Sequence, residues 1–322
     1  MSTCSVVSES LNLDRGQPDY TLAASITRAA SKQTYYTIRF LVDRDLIVDA
    51  YRAYAYFRWV DDRLDQELSE RCERLAFVAR QQSLIDHCYC SNRPRPLDKE
   101  EHMLANLIRG DQGENSGLQL YIRNMMAVMA FDAGRKGRLI SRRELTEYTR
   151  WLATAVTEAM HYFIGHHRAT PHGEARYLAV TAAHITHMLR DTHDDAAAGY
   201  FNIPLEFIQS HQIDPQDVGS EPYRAWVQSR VQLARACFKA GMDYVARVTS
   251  FRCRMAGYAY FARFEGVLDA IERDGYRLRP EYPECKSLGA GVSMGGSALL
   301  LAFNPRLRHN SPALPVMMKR EP

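Results

Sequence analysis

Two short acidic clusters hold the side chains best suited to chemistry, Asp61-Asp62-Arg63-Leu64-Asp65 and Asp191-Thr192-His193-Asp194-Asp195. In each, two aspartates stand four positions apart, Asp61 with Asp65 and Asp191 with Asp195. A helix places such a pair on one face. Like charges at that spacing weaken an isolated helix, so the arrangement asks for a cation. Mg²⁺ suits it, because that ion takes one or two carboxylates and completes its shell with water and phosphate oxygens. Two such clusters, facing each other across a helical bundle, would clamp a diphosphate through shared metal ions. The plain alternative is a solvated helix face, since a lone Asp-x-x-x-Asp pair arises by chance in a chain of ordinary composition. The setting argues against that alternative. Tyr51-Arg52-Ala53-Tyr54-Ala55-Tyr56-Phe57-Arg58-Trp59-Val60 runs straight into the first cluster, and a solvated acidic face does not normally continue so aromatic a segment.

The neighbours extend the theme. Arg58 stands three positions before Asp61, and Arg190 directly precedes Asp191. Guanidinium forks match phosphate oxygens. Tyr54 lies one turn before Arg58, and Tyr148 is central in another helical stretch; each could hydrogen-bond a diphosphate or stabilise a carbocation with its ring face. Each also has a structural reading, the arginines as salt-bridge partners and the tyrosines as core. Taken together the groups describe an ionisation. Metals and arginines would neutralise charge building on a diphosphate leaving group, and an apolar, aromatic-lined cavity would shelter the resulting allylic cation from water.

Helices must position these groups, and the pattern is helical almost throughout. Apolar residues recur at helical spacing over Leu22–Ser31, Tyr35–Val42, Asp45–Trp59, Leu75–Cys88, His102–Arg109 and Leu118–Ala133. Gly134 to Gly137 interrupts, and Ser141 with Glu144 forms a capping box that opens a helix running to about Ile164. Gly165 to Glu174 is a break, as is the loop Ser91 to Pro96. Ala175–Asp195 reads as one helix ending in the second cluster, Gly199–Pro204 as extended, and Ser220–Val248 and Arg252–Gly275 as long helices. No strand series or internal repeat is present. The expected organisation is a flexible N-terminus over 1–17, one all-α domain over 18–304 and a flexible tail over 305–322.

Composition bounds the rest. The chain has 322 residues, 46% hydrophobic and 25% charged, with net charge +3. That balance is too mild to argue for nucleic acid, and no Lys/Arg run supports it, so no nucleic-acid partner is expected. Its seven cysteines are odd in number and scattered, which suits free thiols in a reducing cytoplasm. Met1 to Gln17 lacks the basic start and apolar core of a signal peptide, so a cytoplasmic protein is expected. The run Leu288–Phe303 falls short of the roughly 20 residues that span a bilayer; burial is expected there, with peripheral membrane contact as the alternative.

These residues bring a family into view. From about Ala24 to Gly289 the chain resembles the squalene/phytoene synthases. Ser31-Lys32-Gln33-Thr34-Tyr35-Tyr36 resembles that family's opening Ser-x-Ser-Phe-Tyr segment. Tyr54-Ala55-Tyr56-Phe57-Arg58-Trp59-Val60-Asp61-Asp62-Arg63-Leu64-Asp65 is similar to its Tyr-Ala-Phe-Cys-Arg-x-x-Asp-Asp-x-x-Asp signature, the most specific match. Met129-Ala130-Phe131-Asp132 resembles Gly-Met-x-x-Asp, Met188 to Asp195 resembles Ile-Leu-Arg-Asp-x-x-Glu-Asp, and Ile203-Pro204-Leu205-Glu206 resembles the Leu-Pro-x-Glu that follows. Leu268 to Tyr276 is similar to the family's C-terminal helix end.

The resemblance implies the all-α, single-domain class I isoprenoid synthase-like bundle with a central cavity. It implies Mg²⁺ held by Asp61, Asp65, Asp191 and Asp195, with Asp62 and His187 as further metal-binding candidates. Tyr54, Arg58, Tyr148 and Arg190 would line the diphosphate sites, and Lys32, Thr34, Tyr35, His184 and Phe264 would touch substrate. The substrate would be farnesyl or geranylgeranyl diphosphate, with NADPH needed only for a squalene-type reduction. Both a monomer and a homodimer are compatible with the sequence.

Three departures stand out. The family has Gln-x-x-Asn where this chain has His184 and His187. Imidazole is a poorer Mg²⁺ ligand than oxygen; the two histidines read as supporting donors or satisfied core residues, with a zinc site formed with Asp191 as a further alternative. Leu152 to Thr157 stands where the family has Val-Ala-Gly-x-Val-Gly, so Thr154 and Thr157 would straighten the helix and narrow the chain cavity. Asn202 stands where a Tyr is usual. Ionisation of an allylic diphosphate is therefore the expected chemistry. Head-to-head condensation is its commonest outcome in the family, and cyclisation or transfer to another acceptor is the alternative. A non-catalytic assembly factor is disfavoured by the four retained carboxylates, and a helical lipid-binding module would leave both clusters unexplained.

Overall fold

Helix-start chemistry sets out the architecture before any packing is considered. Ser31 Oγ accepts from the Thr34 N–H (3.1 Å) and opens one helix, and Ser220 and Ser250 do the same for two others. Capping boxes Glu70/Glu73, Asp98/Glu101 and Ser141/Glu144 open three more. In a computed structural model, residues 18–90, 96–111, 113–165, 171 and 173–282 are described. The expected flexible ends, the run Leu288–Phe303 and most of the loop at 91–96 lie outside them.

The described α-helices, in chain order, are α1 Pro18–Ala30, α2 Lys32–Leu41, α3 Ile47–Asp62, α4 Arg71–Tyr89, α5 Lys99–Arg109, α6 Gly117–Arg135, α7 Arg142–Phe163, α8 Ala175–Arg190, α9 Thr192–Ala197, α10 Leu205–His211, α11 Glu221–Ala246 and α12 Phe251–Arg273. A 3₁₀ turn at Arg44–Leu46 precedes α3, and a π turn at Arg63–Glu67 follows it. Among the described residues the β contact is one isolated parallel bridge between Ile140 and Pro204. The fold is all-α, as the periodicity predicts. No helix among the described residues is long and apolar enough to cross a membrane.

The helices gather into two compact units. Of the described residues, those up to 134 and 161–165 form one, and 135–160, 171 and 173–282 form the other. In the first, α3 packs against α1, α2 and α5. It is buried nearly all round, with Tyr51 and Tyr56 at 1% and 0% exposure, because its alanine and aromatic side chains face more than one side of the helix. Its polar groups are satisfied internally. The Tyr56 hydroxyl donates to Gln81 (2.9 Å), whose amide donates to buried Glu101 (2.9 Å), and Arg52 pairs with Asp19 and Asp49.

In the second unit α8 is the central helix, packed against α11 and α12. Its approach to α11 depends on Gly241, where a Cβ would lie 2.7 Å from the backbone Cα and N of Ala179. Gly241→Ala should therefore destabilise the chain by about 1–3 kcal/mol through overpacking. Equilibrium denaturation checks this, and an unchanged midpoint would contradict the close approach.

The structure corrects the sequence reading in three places. Ala175–Asp195 is two helices, broken at Asp191, whose backbone (φ −96°, ψ 7°) leaves the helical range. The helix through Asp61 does not continue regularly to Asp65, because the Leu68 N–H bonds to the Arg63 carbonyl five residues back (3.0 Å) and widens the turn. The helix α10 has no counterpart in the periodicity reading; it is short and rests on the Ile140 carbonyl, which accepts from the Leu205 N–H (2.8 Å).

Candidate active site

Each acidic motif closes the central helix of its unit at the helix C-terminus. That end carries partial negative charge, so carboxylates there are disfavoured until a cation offsets them. In the first unit the offset comes from one turn back on α3. Arg58 bonds Asp62 through Nε (3.1 Å) and through Nη2, and its Nη1 stands 3.4 Å from Asp61 Oδ2. Gln66 in the π turn also donates to Asp62 (3.2 Å). The compensation at Asp61 is incomplete. Burial pushes its carboxyl up to about 6, the charges of Asp65, Asp132 and Asp62 push the same way, and Arg58 opposes them only in part. Asp65 is exposed and Asp61 half-exposed, so both remain accessible.

Tyr54 lies within electrostatic reach of Arg58. The α2 residues Lys32, Thr34 and Tyr35 sit apart from the carboxylates in the hydrogen-bond pattern. Lys32 is exposed. The Thr34 N–H and hydroxyl both donate to Ser31 Oγ (3.1 and 2.9 Å). The Tyr35 ring lies 5.4 Å from that of Tyr51 with the Arg28 guanidinium 5.7 Å above it, and its carbonyl accepts from the Tyr51 hydroxyl.

In the second unit Asp191 ends α8 and begins α9, accepting the Asp195 N–H at its carbonyl (2.8 Å). Arg190 grips its carboxylate with both Nε (2.6 Å) and Nη2 (2.8 Å), and His187 Nε2 stands 3.3 Å away. Burial raises the Asp191 carboxyl, but Arg190 and His187 outweigh it and hold the group below its usual range. Phe264 of α12 is buried, with its ring 6.5 Å from that of His187.

Asp195 is served differently. Gly199, at φ +86°, adopts a left-handed turn that side-chain-bearing residues avoid, and the chain doubles back so that the Tyr200 N–H bonds the Asp195 carbonyl (2.7 Å). This brings Asn202 against the carboxylate. Asn202 donates from Nδ2 to Asp195 (2.8 Å) and accepts at Oδ1 from Arg135 (2.9 Å). The Arg135 guanidinium lies over the rings of Tyr148 (4.8 Å) and Tyr200 (5.0 Å). Asn202 is thus the link between a buried cation and a candidate metal ligand. Asn202→Ala should weaken Mg²⁺-dependent turnover by about 10–100-fold, the usual cost of losing a ligand's hydrogen-bonded support. A metal titration of activity reads it, and an unchanged metal requirement would remove Asn202 from the site.

His184 is the buried counterpart of these groups. It is 6% exposed, lies edge-on to Tyr148 at 5.1 Å, and its Nε2 has no hydrogen-bond partner. Burial, reinforced by His187, Arg135 and Arg230, drops its pKa to about 3, so the ring is neutral. The hydroxyl of Thr157 on α7 is likewise buried without a partner.

Oxygen donors dominate the candidate metal residues, and that chemistry fits Mg²⁺. Among the described residues no three His, Cys, Asp or Glu side chains converge to cage an ion by themselves. Mg²⁺ does not need such a cage, being bound through one or two carboxylates with water and substrate phosphate. The same observation removes the zinc site of His184, His187 and Asp191, because zinc requires its ligands from the protein. Sequence reasoning left three contributors without a role: Asp132, which adds charge at Asp61, Arg135 and Asn202. Asp132 had a signal, its place in the Met129–Asp132 motif. Arg135 had none.

Comparison with known proteins gives one family. The squalene/phytoene synthase model matches residues 27–286. A phytoene synthase of Thermus thermophilus is 25% identical over 296 residues, covering 90% of this chain and 96% of that protein. Two solved structures share the fold. The squalene synthase HpnC of Alicyclobacillus acidocaldarius is 19% identical with a TM-score of 0.64, over 81% of this chain and 95% of that one. A dehydrosqualene synthase in complex with ligand is 16% identical with a TM-score of 0.68, over 88% and 95%.

Proposed function

The chain belongs to the squalene/phytoene synthase family, a family of prenyltransferases that join prenyl diphosphates head to head, and from that premise we propose that it ionises an allylic prenyl diphosphate with Mg²⁺. The substrate is farnesyl or geranylgeranyl diphosphate, and condensation of two such molecules is the leading outcome. The observation that carries the reading is the recurrence of one device in both units. A central helix ends in aspartates at its negative pole, and an arginine of the last turn lies folded onto them.

Mg²⁺, held by Asp61 and Asp65 and by Asp191 and Asp195, would supply the positive charge that stabilises a departing diphosphate. The remaining work belongs to the protein. Arg58 and Arg190 already neutralise carboxylates, so each can exchange a carboxylate oxygen for a phosphate oxygen with no net loss of charge pairing. Asn202 orients Asp195 by donating to it. Tyr148, fixed by Arg135 over its ring and by His184 beside it, would be the aromatic group that stabilises developing positive charge. Asp62, paired with Arg58, sets the position of that guanidinium.

The test is direct. The full chain is incubated with farnesyl or geranylgeranyl diphosphate and Mg²⁺, pyrophosphate is measured, and the hydrocarbon is identified by mass spectrometry with and without NADPH. Release should depend on metal and stop with a chelator. Background release at every chain length would sink the reading.

A second reading keeps the ionisation and changes its fate, to cyclisation of one chain or transfer to another acceptor. His184 and Thr157, which stand where the chain departs from the family pattern, favour it, because each buries a polar atom, Nε2 and Oγ1, without a hydrogen-bond partner. The same product analysis separates the two outcomes.

A further inference from the structure

We propose that the outward face of α2 is a docking surface for an anionic lipid bilayer. The inference goes beyond the chemistry above and stands on the surface itself. Phe40 is 69% exposed and Tyr36 is 50% exposed, more than any other large apolar side chain among the described residues. They are one helical turn apart. Their rings are stacked, with centroids 6.1 Å apart and planes 8° from parallel. On the opposite side of the same helix Ile38 is buried, so α2 is anchored by one face and presents the aromatic pair on the other.

Water is a poor environment for this pair. Stacking the rings on each other hides only one face of each, and Phe40 has no polar atom to be wetted. The charges around them decide what covers them. α2 carries Lys32 and Arg39, both exposed, and no acidic side chain. Arg28 in the last turn of α1 and Arg44 after α2 are exposed as well, whereas Asp43 is buried, leaving Asp45 as the nearby exposed acid. Lys32, Tyr36, Arg39 and Phe40 recur at helical spacing and share one face.

Aromatic rings flanked by cations are the composition of an interfacial anchor. The rings enter the headgroup boundary, the long basic side chains reach back to phosphates, and anionic lipid adds attraction for each cation. A second copy of this chain fits less well, because a two-fold contact would bring this cationic face against itself.

The full chain is sedimented with vesicles of phosphatidylcholine alone and with vesicles containing about one-third phosphatidylserine, at low and high salt. The wild-type chain should partition onto the anionic vesicles and be released by salt. The double variant Tyr36→Ser, Phe40→Ser should lose at least about tenfold in bound-to-free ratio, the equivalent of one aromatic side chain's burial. Arg39→Glu should lose the preference for anionic over neutral vesicles. Thermal denaturation of each variant shows that the fold is retained, and pyrophosphate release in detergent micelles should be unchanged. Equal binding by the double variant, or no binding by the wild-type chain, would overturn the proposal. So would a dimer in sedimentation equilibrium that the double variant abolishes, which would make this face a contact between copies. Absence of pyrophosphate release from the wild-type chain would count against the proposed chemistry and leave the vesicle result standing.

Discussion

Asp61→Asn lowers pyrophosphate release from an allylic diphosphate by about 10²–10³-fold or more, the scale of losing one electrostatic element of a charge-developing step. Asn keeps the shape and an oxygen but removes the charge that would hold Mg²⁺. The same variant has a second, opposite signature. The Asp61 carboxyl is pushed up to about 6 from its ordinary value of 3.8. A carboxyl raised on folding binds protons more readily in the folded chain than in the unfolded one. Its contribution to stability is therefore fully present below pH 4 and is lost as pH rises through 6. Above that the ionised group is a burden on the metal-free protein, and Asp61→Asn lifts it. The metal-free variant should melt no lower than the wild-type chain at neutral pH, and addition of Mg²⁺ should stabilise the wild type more than the variant. Loss of activity together with a clear loss of metal-free stability would show Asp61 to be a structural residue, against the catalytic reading.

Glu158→Met should be the most destabilising of the substitutions considered. Glu158 and Arg176 are 7% and 9% exposed at the side chain and bonded in the two-pronged geometry (2.9 and 2.7 Å), with the Tyr177 hydroxyl donating to the same carboxylate (2.8 Å). Burial alone would lower the Arg176 pKa, and Glu158 raises it above the ordinary value; without Glu158 the guanidinium still stays charged, because arginine does not deprotonate in a protein interior. Removing the carboxylate leaves that charge out of water without its counter-ion, at a cost of about 3–5 kcal/mol. Chemical denaturation of the two proteins reads the difference. Because the pair ties α7 to the first turn of α8, activity should fall with it, through misplacement of the helix that carries His187 and Arg190. A loss under 1 kcal/mol would mean that water reaches Arg176, contrary to its burial.

Much of the fold was legible in the chain. Helix starts at Ser31, Ser141, Ser220 and Ser250 follow from a hydroxyl meeting the backbone N–H groups three residues on, a matter of neighbours. The all-α class follows from apolar spacing, which is equally local. Membership of the family was legible because Tyr54 to Asp65 and Met188 to Asp195 are contiguous strings. What each departure does was not. Asn202 reads as a missing Tyr until the left-handed turn at Gly199 lays it on Asp195, and His184 reads as a substituted amide until its burial beside Tyr148 is seen.

Order along the chain thus determined which residues are helical and which carboxylates are paired, because both depend on interactions within a turn or two. Apolar spacing did not show where the helices yield: the π turn closes between the Leu68 N–H and the Arg63 carbonyl, and α8 breaks at Asp191. Tertiary structure decided that Asn202 lies on Asp195. It also decided that Asp132 adds its charge to Asp61, that Arg135 reaches Asn202, and that Tyr36 and Phe40 stay in water. Charge and burial at a point are sums over everything nearby in space, and neighbours in space are chosen by the packing.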